Sequence, residues 1–358
     1  MSFRTFQNKT VLITGHTGFK GSWLAMWLNS LGAKVVGVAL DPPSHPSHYE
    51  VAKLSDILKH HRHDVRDGVA LKGLISKIQP DFVFHLAAQA LVRQSYDDPV
   101  ATYQTNSMVT LNLLEALRSL KKECTVVLIT SDKCYNNVEW VWGYRETDAL
   151  GGPDPYSASK GAAELVIRSH IKSFFPKDGL VRIAVGRAGN VIGGGDWASD
   201  RIVPDCVRSW SKGETVQLRN PQSTRPWQHV LEPLRGYLTL ASQLSKNPDL
   251  HGEAFNFGPP EHQNHTVLEL VQMMSGHWDQ VRWEDISASG IEEQPYESGL
   301  LKLNCDKALH FLHWQAILSF QETVRMTAEW YRSYYENPST IREVTLTQVR
   351  EYETLFSS

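Results

Sequence analysis

The sequence predicts an α/β fold in which a doubly wound parallel sheet is followed by a smaller mixed α/β lobe. Three observations predict it. Short β-rich runs alternate with helical stretches through the first half, and a glycine-rich loop joins the first run to the first helix. After about Asn190 that regular alternation breaks down into glycines, prolines and tryptophans.

Residues 10–15 (TVLITG) form a β-rich run closed by glycine. The helix after it carries Trp23, Leu24, Trp27, Leu28 and Leu31 on one face and stops at Gly32. Residues 33–40 (AKVVGVAL) are almost continuously apolar, as a strand buried on both faces requires. A third strand is expected before Asp64, a helix over 69–79, and a fourth strand over 81–87 (DFVFHLA). A long helix over 99–120 leads to the strand 124–130 (CTVVLIT). The helix 157–175 leads to the sixth strand, 180–186 (LVRIAVG). Shorter elements follow: helices over 232–245 and 267–277, a strand over 254–258, and an amphipathic helix over 321–335.

Composition excludes several function classes. The chain has 358 residues, 41% hydrophobic and 21% charged, with a net charge of −3. Nothing there calls for nucleic acid or a membrane surface as partner, so an anionic ligand must be held by local groups. The four cysteines (Cys124, Cys134, Cys206, Cys305) are far apart and read as free thiols of a reducing compartment. The first residues, MSFRTFQNKT, contain no apolar signal core, and no run approaches the length of a membrane span. The expected location is the cytoplasm. No metal site is assigned.

Gly15, His16, Thr17, Gly18, Phe19, Lys20 and Gly21 form a G-x-x-G-x-x-G loop between a strand and a helix. That context points to a dinucleotide: Gly15 permits a tight turn, Gly18 lets backbone approach a pyrophosphate, and Gly21 lets helix and strand pack closely. Free N–H groups at the helix start then face the phosphates. Asp41 follows the second strand, where a carboxylate accepts both ribose hydroxyls and repels a 2′-phosphate, which favours NAD over NADP. Its plain alternative is a turn aspartate before Pro42 and Pro43. Asp64 and Val65 after the third strand, and Leu86, Ala87 and Ala88 after the fourth, complete the expected cofactor wall. Lys20 has two readings, one beside the pyrophosphate and one reaching solvent. Residues 1–190 are accordingly expected to be the NAD-binding domain. Residues 191–358 should mainly hold the substrate, with the chain crossing back to the first lobe.

Tyr156 and Lys160 lie one helical turn apart on one face. The ammonium can lower the phenol pKa, so the tyrosine can take a hydroxyl proton while a hydride leaves the same carbon. Tyr49 and Lys53 share this spacing but fall at the adenosine end, where no chemistry occurs. Ser131 ends the fifth strand, placed to fix a substrate hydroxyl beside Tyr156. Asp132 and Lys133 follow at the carboxyl end of a parallel strand, where ligands of such sheets bind. They are either a solvated ion pair or an acid and a proton acceptor over the substrate.

The segments TGHTGFKG, HLAAQALVRQS, SDKCY, YSASK, GNVIGGGDW, DRIVP, STRPWQHV and EAFNFG, spread over most of positions 10–258, resemble the extended short-chain dehydrogenase/reductases. Within that group they resemble the nucleotide-sugar 4,6-dehydratases. The tract from TGHTGFKGSW to SDKCYNNVEWVWGYRETD is most similar to the branch acting on CDP-glucose. The resemblance implies a Rossmann-type NAD domain and a reaction with internal redox. C4 of the glucose is oxidised, water leaves across C5 and C6, and hydride returns to C6, giving a precursor of dideoxyhexoses for lipopolysaccharide O-antigen. It also implies that Asp132 protonates the leaving hydroxyl. Many relatives acting on dTDP-glucose carry glutamate where Lys133 stands, so Lys133 is expected to handle the C5 proton. Asn190, Arg201 and Arg225 match positions that touch sugar and phosphates, their bland alternative being salt bridges. The segment that usually supplies a further arginine reads PYESG at 295–299, so that contact is not carried over. A homodimer or homotetramer through the helices 99–120 and 157–175 is implied as well. Two rival readings share the fold: a nucleotide-sugar 4-epimerase, which needs no Asp132–Lys133 pair, and a non-catalytic NAD-dependent binding protein.

Overall fold

The computed structural model describes residues 3–261, 263–279, 281–287 and 299–357. Positions 295–298 of the PYESG segment lie outside them. Seven parallel strands form one sheet: β1 (Thr10–Thr14), β2 (Lys34–Ala39), β3 (Lys59–Arg62), β4 (Phe82–His85), β5 (Cys124–Ile129), β6 (Val181–Arg187) and the late strand Ala254–Asn256. In space they run Ala254–Asn256, β6, β5, β4, β1, β2, β3. The order reverses between β1 and β4, so the carboxyl ends of those two strands open the crevice in which such sheets bind ligands.

The continuous apolar runs are explained by burial on both faces. On one face Leu12, Val38, Val83, Val126 and Ile183 pack with Leu71, Leu113 and Ile167 from the helices Gly68–Ile78, Val109–Leu117 and Pro155–Phe174. On the other, Val11, Ile13, Phe84 and Val127 pack with Trp23, Leu234 and Tyr352 from Phe19–Ser30, Leu231–Leu244 and Ile341–Ser357. β3 lacks the apolar signature because it is the edge strand and reads KHHR. The helix Ile341–Ser357, which the periodicity did not single out, returns to the first lobe. There Trp27 Nε1 donates to Glu353 at 2.8 Å.

The expected helix over 99–120 is interrupted. Pro99–Tyr103 and Val109–Leu117 are α-helical, while Gln104–Met108 widens into a π turn. The π turn aims polar side chains at the neighbouring helix: Asn106 Nδ2 donates to Ser159 Oγ at 2.9 Å, and Ser107 Oγ to the Ser159 carbonyl at 2.9 Å. The helix His48–Val51 ends before Lys53, which has left-handed backbone (φ 50). Tyr49 and Lys53 therefore share no helical face.

The lobe beyond β6 is built from short ladders. Val191–Ile192 pairs in parallel with Gln228–His229, Thr224–Arg225 antiparallel with His265–Thr266, and Val216–Leu218 in parallel with Trp283–Asp285. Its helices begin on side-chain caps where the sequence provides them. Thr266 with Glu269 and Ser319 with Glu322 close capping boxes at the starts of Val267–Ser275 and Phe320–Glu336.

Candidate active site

The glycine loop is shaped by contact at two positions and by space at the third. Gly15 sits at φ +78, and a Cβ there would come within 2.7 Å of the Ala87 backbone nitrogen. A Cβ on Gly21 would overlap the Gly15 carbonyl. Gly18 meets only the Gly15 oxygen at 3.4 Å, so no protein neighbour fills the space before it. Gly18 is also the N-cap of Phe19–Ser30, and no side chain caps that helix start. The result is a backbone cradle with unsatisfied N–H groups at its floor, which fits a dinucleotide pyrophosphate.

The other expected cofactor residues divide. Thr17 Oγ1 donates to the Leu40 carbonyl at 3.1 Å, tying the loop to the end of β2. His16 turns its ring onto Gly37, whose missing side chain makes the room, and its Nε2 lies 2.7 Å from His60 Nδ1. Burial, then His60, push its pKa down to about 3, so it is neutral. Asp41 is exposed and ion-paired with Arg62 at the end of β3. Asp64 accepts bonds from the guanidinium and the backbone N–H of Arg66, which hold its carboxyl below the usual range. Val65 is buried. Leu86 and Ala87 follow β4, the latter donating its N–H to Thr14 Oγ1 at 3.2 Å, and Ala88 follows them.

Ser131, Asp132, Lys133 and Tyr156 line one cavity of about 660 Å³ at the carboxyl ends of β1, β4 and β5, with Phe19 and Lys20 on its cofactor side. Asp154 caps the helix that carries Tyr156, accepting the Ser157 N–H at 2.9 Å, and Pro155 opens it. Tyr156 and Lys160 are 8% and 6% exposed, and Lys160 Nζ lies 5.9 Å from the Tyr156 ring centroid. Burial pushes the phenol up to about 12, against the Ser131 hydroxyl and the Arg201 guanidinium, which pull it down. Burial, then the Lys20 ammonium, push Lys160 down to about 8. The lowering by Ser131 and Arg201 does not offset the burial of the phenol.

Asp132 is 3% exposed. It accepts a bond from Ser131 Oγ at 2.9 Å and one from Asn190 Nδ2 at 3.3 Å. A Cβ on Gly189 would overlap its carboxyl, so the Gly189–Asn190 turn is shaped around Asp132. Asn190, with φ +51, thus holds the acid as well as lining the cavity. Arg201 lines the cavity while ion-paired with Asp196 at 2.6 Å. Arg225 lines it from the Thr224–Arg225 strand, its Nη1 donating to the Thr224 carbonyl at 2.8 Å.

Sequence reasoning missed the support beneath these groups. Glu164, one turn beyond Lys160, grips Arg187 at the end of β6 with two bonds of 2.8 Å and accepts Thr130 Oγ1 at 2.5 Å. Arg187 goes on to Tyr135 Oη at 2.8 Å, and Tyr135 to Asn256 Oδ1 at 2.7 Å. Arg187, a charged residue ending β6 directly after the apolar run 183–186, was the available signal. Asp200 also takes Arg93 at 3.1 Å and Arg219 at 3.2 Å, joining the two walls of the cavity.

Residues 12–327 match the family described as GDP-mannose 4,6 dehydratase. The chain is 47% identical to CDP-glucose 4,6-dehydratase of Salmonella typhimurium over 92% of each chain. It is 26% identical to dTDP-glucose 4,6-dehydratase of Shigella flexneri over 90% of this chain and 92% of that one. Among solved structures, UDP-glucose-4-epimerase of Stenotrophomonas maltophila superposes with a TM-score of 0.78 at 21% identity, covering 92% of this chain and 99% of that chain. The dTDP-glucose 4,6-dehydratase of Bacillus anthracis does so with a TM-score of 0.74 at 19% identity, covering 92% and 98%. Those two likenesses bear on the fold, whereas sequence identity and the family match reach further: this chain is a member of the GDP-mannose 4,6 dehydratase family.

Proposed function

We propose that the protein is an NAD-dependent hydro-lyase that converts CDP-D-glucose to CDP-4-keto-6-deoxy-D-glucose. The observation that carries this reading is the buried Asp132, with Lys133 beside it, opening into the same cavity as Ser131 and Tyr156. Oxidation at C4 needs only the latter two and Lys160; an acid with a neighbouring amine is what elimination adds. The 47% identity to a CDP-glucose 4,6-dehydratase supports the nucleotide.

The Gly15–Gly21 cradle would hold the NAD pyrophosphate, with Asp41 toward the adenosine ribose and Lys160 toward the nicotinamide ribose. NAD supplies a place to park the C4 hydride until it is given back at C6. Tyr156 takes the C4 hydroxyl proton, while Ser131 orients that hydroxyl. The resulting ketone acidifies C5–H, Lys133 takes that proton, and Asp132 gives one to the leaving C6 hydroxyl. Lys133 then returns its proton to C5, and the proton taken by Tyr156 passes through the Ser131 hydroxyl to restore Asp132. Arg201 and Arg225 meet the diphosphate, for which arginine offers a planar pair of donors. The walls of the cavity exclude water while the reactive sugar is unsaturated. If Lys133→Ala still exchanges C5 hydrogen with solvent at the normal rate, the role given to Lys133 is wrong.

The test is mass spectrometry with NAD+ and CDP-, dTDP-, GDP- or UDP-glucose supplied separately. Loss of one water from CDP-glucose alone is the expected result. Loss from another nucleotide sugar would correct the base, and a change to the galacto form with no loss of mass would replace the reading by epimerisation. We further assign a homodimer or homotetramer in the cytoplasm. Val100, Tyr103 and Met108 with Leu165 and Phe174 expose apolar surface on the two helices flanking the site, and the four cysteines are unpaired. Light scattering that gives a monomer would remove the oligomer, and fractionation with membranes would remove the location.

A further inference from the structure

Asp200 joins the two walls of the cavity through a single oxygen. Its Oδ1 lies 3.1 Å from Arg93 Nη1 and 3.2 Å from Arg219 Nη2. Arg93 belongs to the short helix Val92–Asp97 after β4, and Arg219 follows the strand Val216–Leu218, so the two guanidiniums come from different lobes. All three side chains line the reaction cavity. Asp200 stands just before Arg201 and the helix Ile202–Trp210, in left-handed backbone (φ +59) that aspartate tolerates better than most residues. Of the charges around it, Asp205 accepts a bond from Arg208 at 2.8 Å, and Arg201 pairs with Asp196 at 2.6 Å. Arg93, Arg219 and Asp200 therefore sum to one positive charge, where the arginines alone would give two.

The side chains of Arg93, Arg219 and Asp200 are 43%, 38% and 44% exposed, and ion pairs so open to water are worth little. A nucleoside diphosphate brings at least two negative charges and several acceptor oxygens to the same donors, and arginine grips such oxyanions with paired N–H groups. It can therefore take both arginines from a lone carboxylate. We infer that Arg93 and Arg219 form a diphosphate-binding point where the lobes meet, and that Asp200 is an internal anion that occupies it until the nucleotide sugar arrives. The inference rests on the nucleotide-sugar reading above and adds two donors to Arg201 and Arg225. The use of the carboxylate is exchange. It keeps the empty cleft from gathering other phosphates, and it retakes the arginines as the product, which carries the same diphosphate, departs.

The test is calorimetric titration at pH 7 with CDP and, as the uncharged control, cytidine, with NAD+ present throughout. The proteins are the wild type, Asp200→Asn, Asp200→Ser, Arg219→Gln, and Asp200→Asn combined with Arg219→Gln. Removing the competing charge should tighten CDP about tenfold in Asp200→Asn and in Asp200→Ser, and move cytidine by less than about twofold. The gain should shrink to about threefold or less against an Arg219→Gln background, and fade in about 0.5 M salt. CDP affinity that is unchanged in a folded Asp200 variant, or that rises equally with that for cytidine, overturns the inference and leaves the substrate reading intact. Loss of affinity for both ligands would make Asp200 a strap between the walls and overturns it too. Failure of every protein to bind CDP overturns both readings. Two replacements of Asp200 are included so that one that does not fold leaves the other to decide.

Discussion

Gly189 shows how a residue with no functional group governs chemistry. Its α-carbon faces the Asp132 carboxyl so closely that any side chain would displace it. Asn190 beside it donates to the same carboxyl from left-handed backbone, which asparagine tolerates better than most residues. Asp132 therefore keeps one orientation over the cavity. Gly189→Ala should move the acid by a fraction of a bond length or more and lower dehydration about 100-fold, since misplacement of that size costs on this scale. Reduction of the cofactor on mixing with substrate should fall far less, because Tyr156 and Ser131 stand outside the overlap. Stopped-flow absorbance set against product mass separates the two effects; equal loss of both would mean that Gly189 serves the whole site and not Asp132. In the sequence Gly189 sat in GNVIGGGDW, one of the segments that carry the family resemblance. Nothing local marked it as the packing partner of a residue 57 positions earlier.

At the scale of elements, the helix Pro155–Phe174 is fixed along its length by polar groups. Asp154 caps its start, Asn106 and Ser107 of the π turn hold Ser159, and Glu164 locks it to β6 through Arg187. The last pair is buried, with both side chains 4% exposed. Removing one partner strands the other charge, so Glu164→Ala should cost about 3–5 kcal/mol in urea unfolding. The double replacement Glu164→Leu with Arg187→Met should recover most of that loss. If the double variant is no more stable than the single one, the bonds from Arg187 to Tyr135 and to the Glu146 carbonyl carry the energy instead. The strand and helix pattern of this region was legible from apolar periodicity. The π turn was not, because its cause is the polar contact with a helix distant in sequence.

For the whole molecule, four buried histidines set the acid limit. His16, His48, His85 and His229 are each at most 4% exposed, and burial pushes each pKa down to about 3. The unfolded chain takes up these protons near pH 6.5 and the folded chain does not. The stability they permit is therefore complete above pH 6.5 and is lost as the pH falls from there toward 3. Between pH 7.5 and 5.5 each should forfeit about 1.3 kcal/mol, together on the order of 5 kcal/mol. That is a large share of an ordinary folding free energy. Urea titrations at the two pH values test it, and equal midpoints would show that the four rings gain protons without unfolding. The tryptophans give a second global result. Trp23, Trp27, Trp314 and Trp330 are fully buried, Trp227 borders the cavity, and Trp140 and Trp142 are exposed. No local pattern could have sorted them.

What the sequence determined by itself is the part that depends on near neighbours. The parallel αβ order follows from periodicity, the cradle from three glycines at fixed spacing, and the Tyr156–Lys160 pairing from one helical turn. The acid and amine at the end of β5 follow from adjacency in the chain. What only the tertiary structure decided are relations between segments brought together by the sheet. Asn190 and Gly189 shape the seat of Asp132, Glu164 and Arg187 brace the catalytic helix, and Lys20 turns from the cradle into the cavity. The reason is range. Helix phase and turn chemistry are set within a few residues, whereas packing and buried charge depend on groups that meet only once the strands have been ordered.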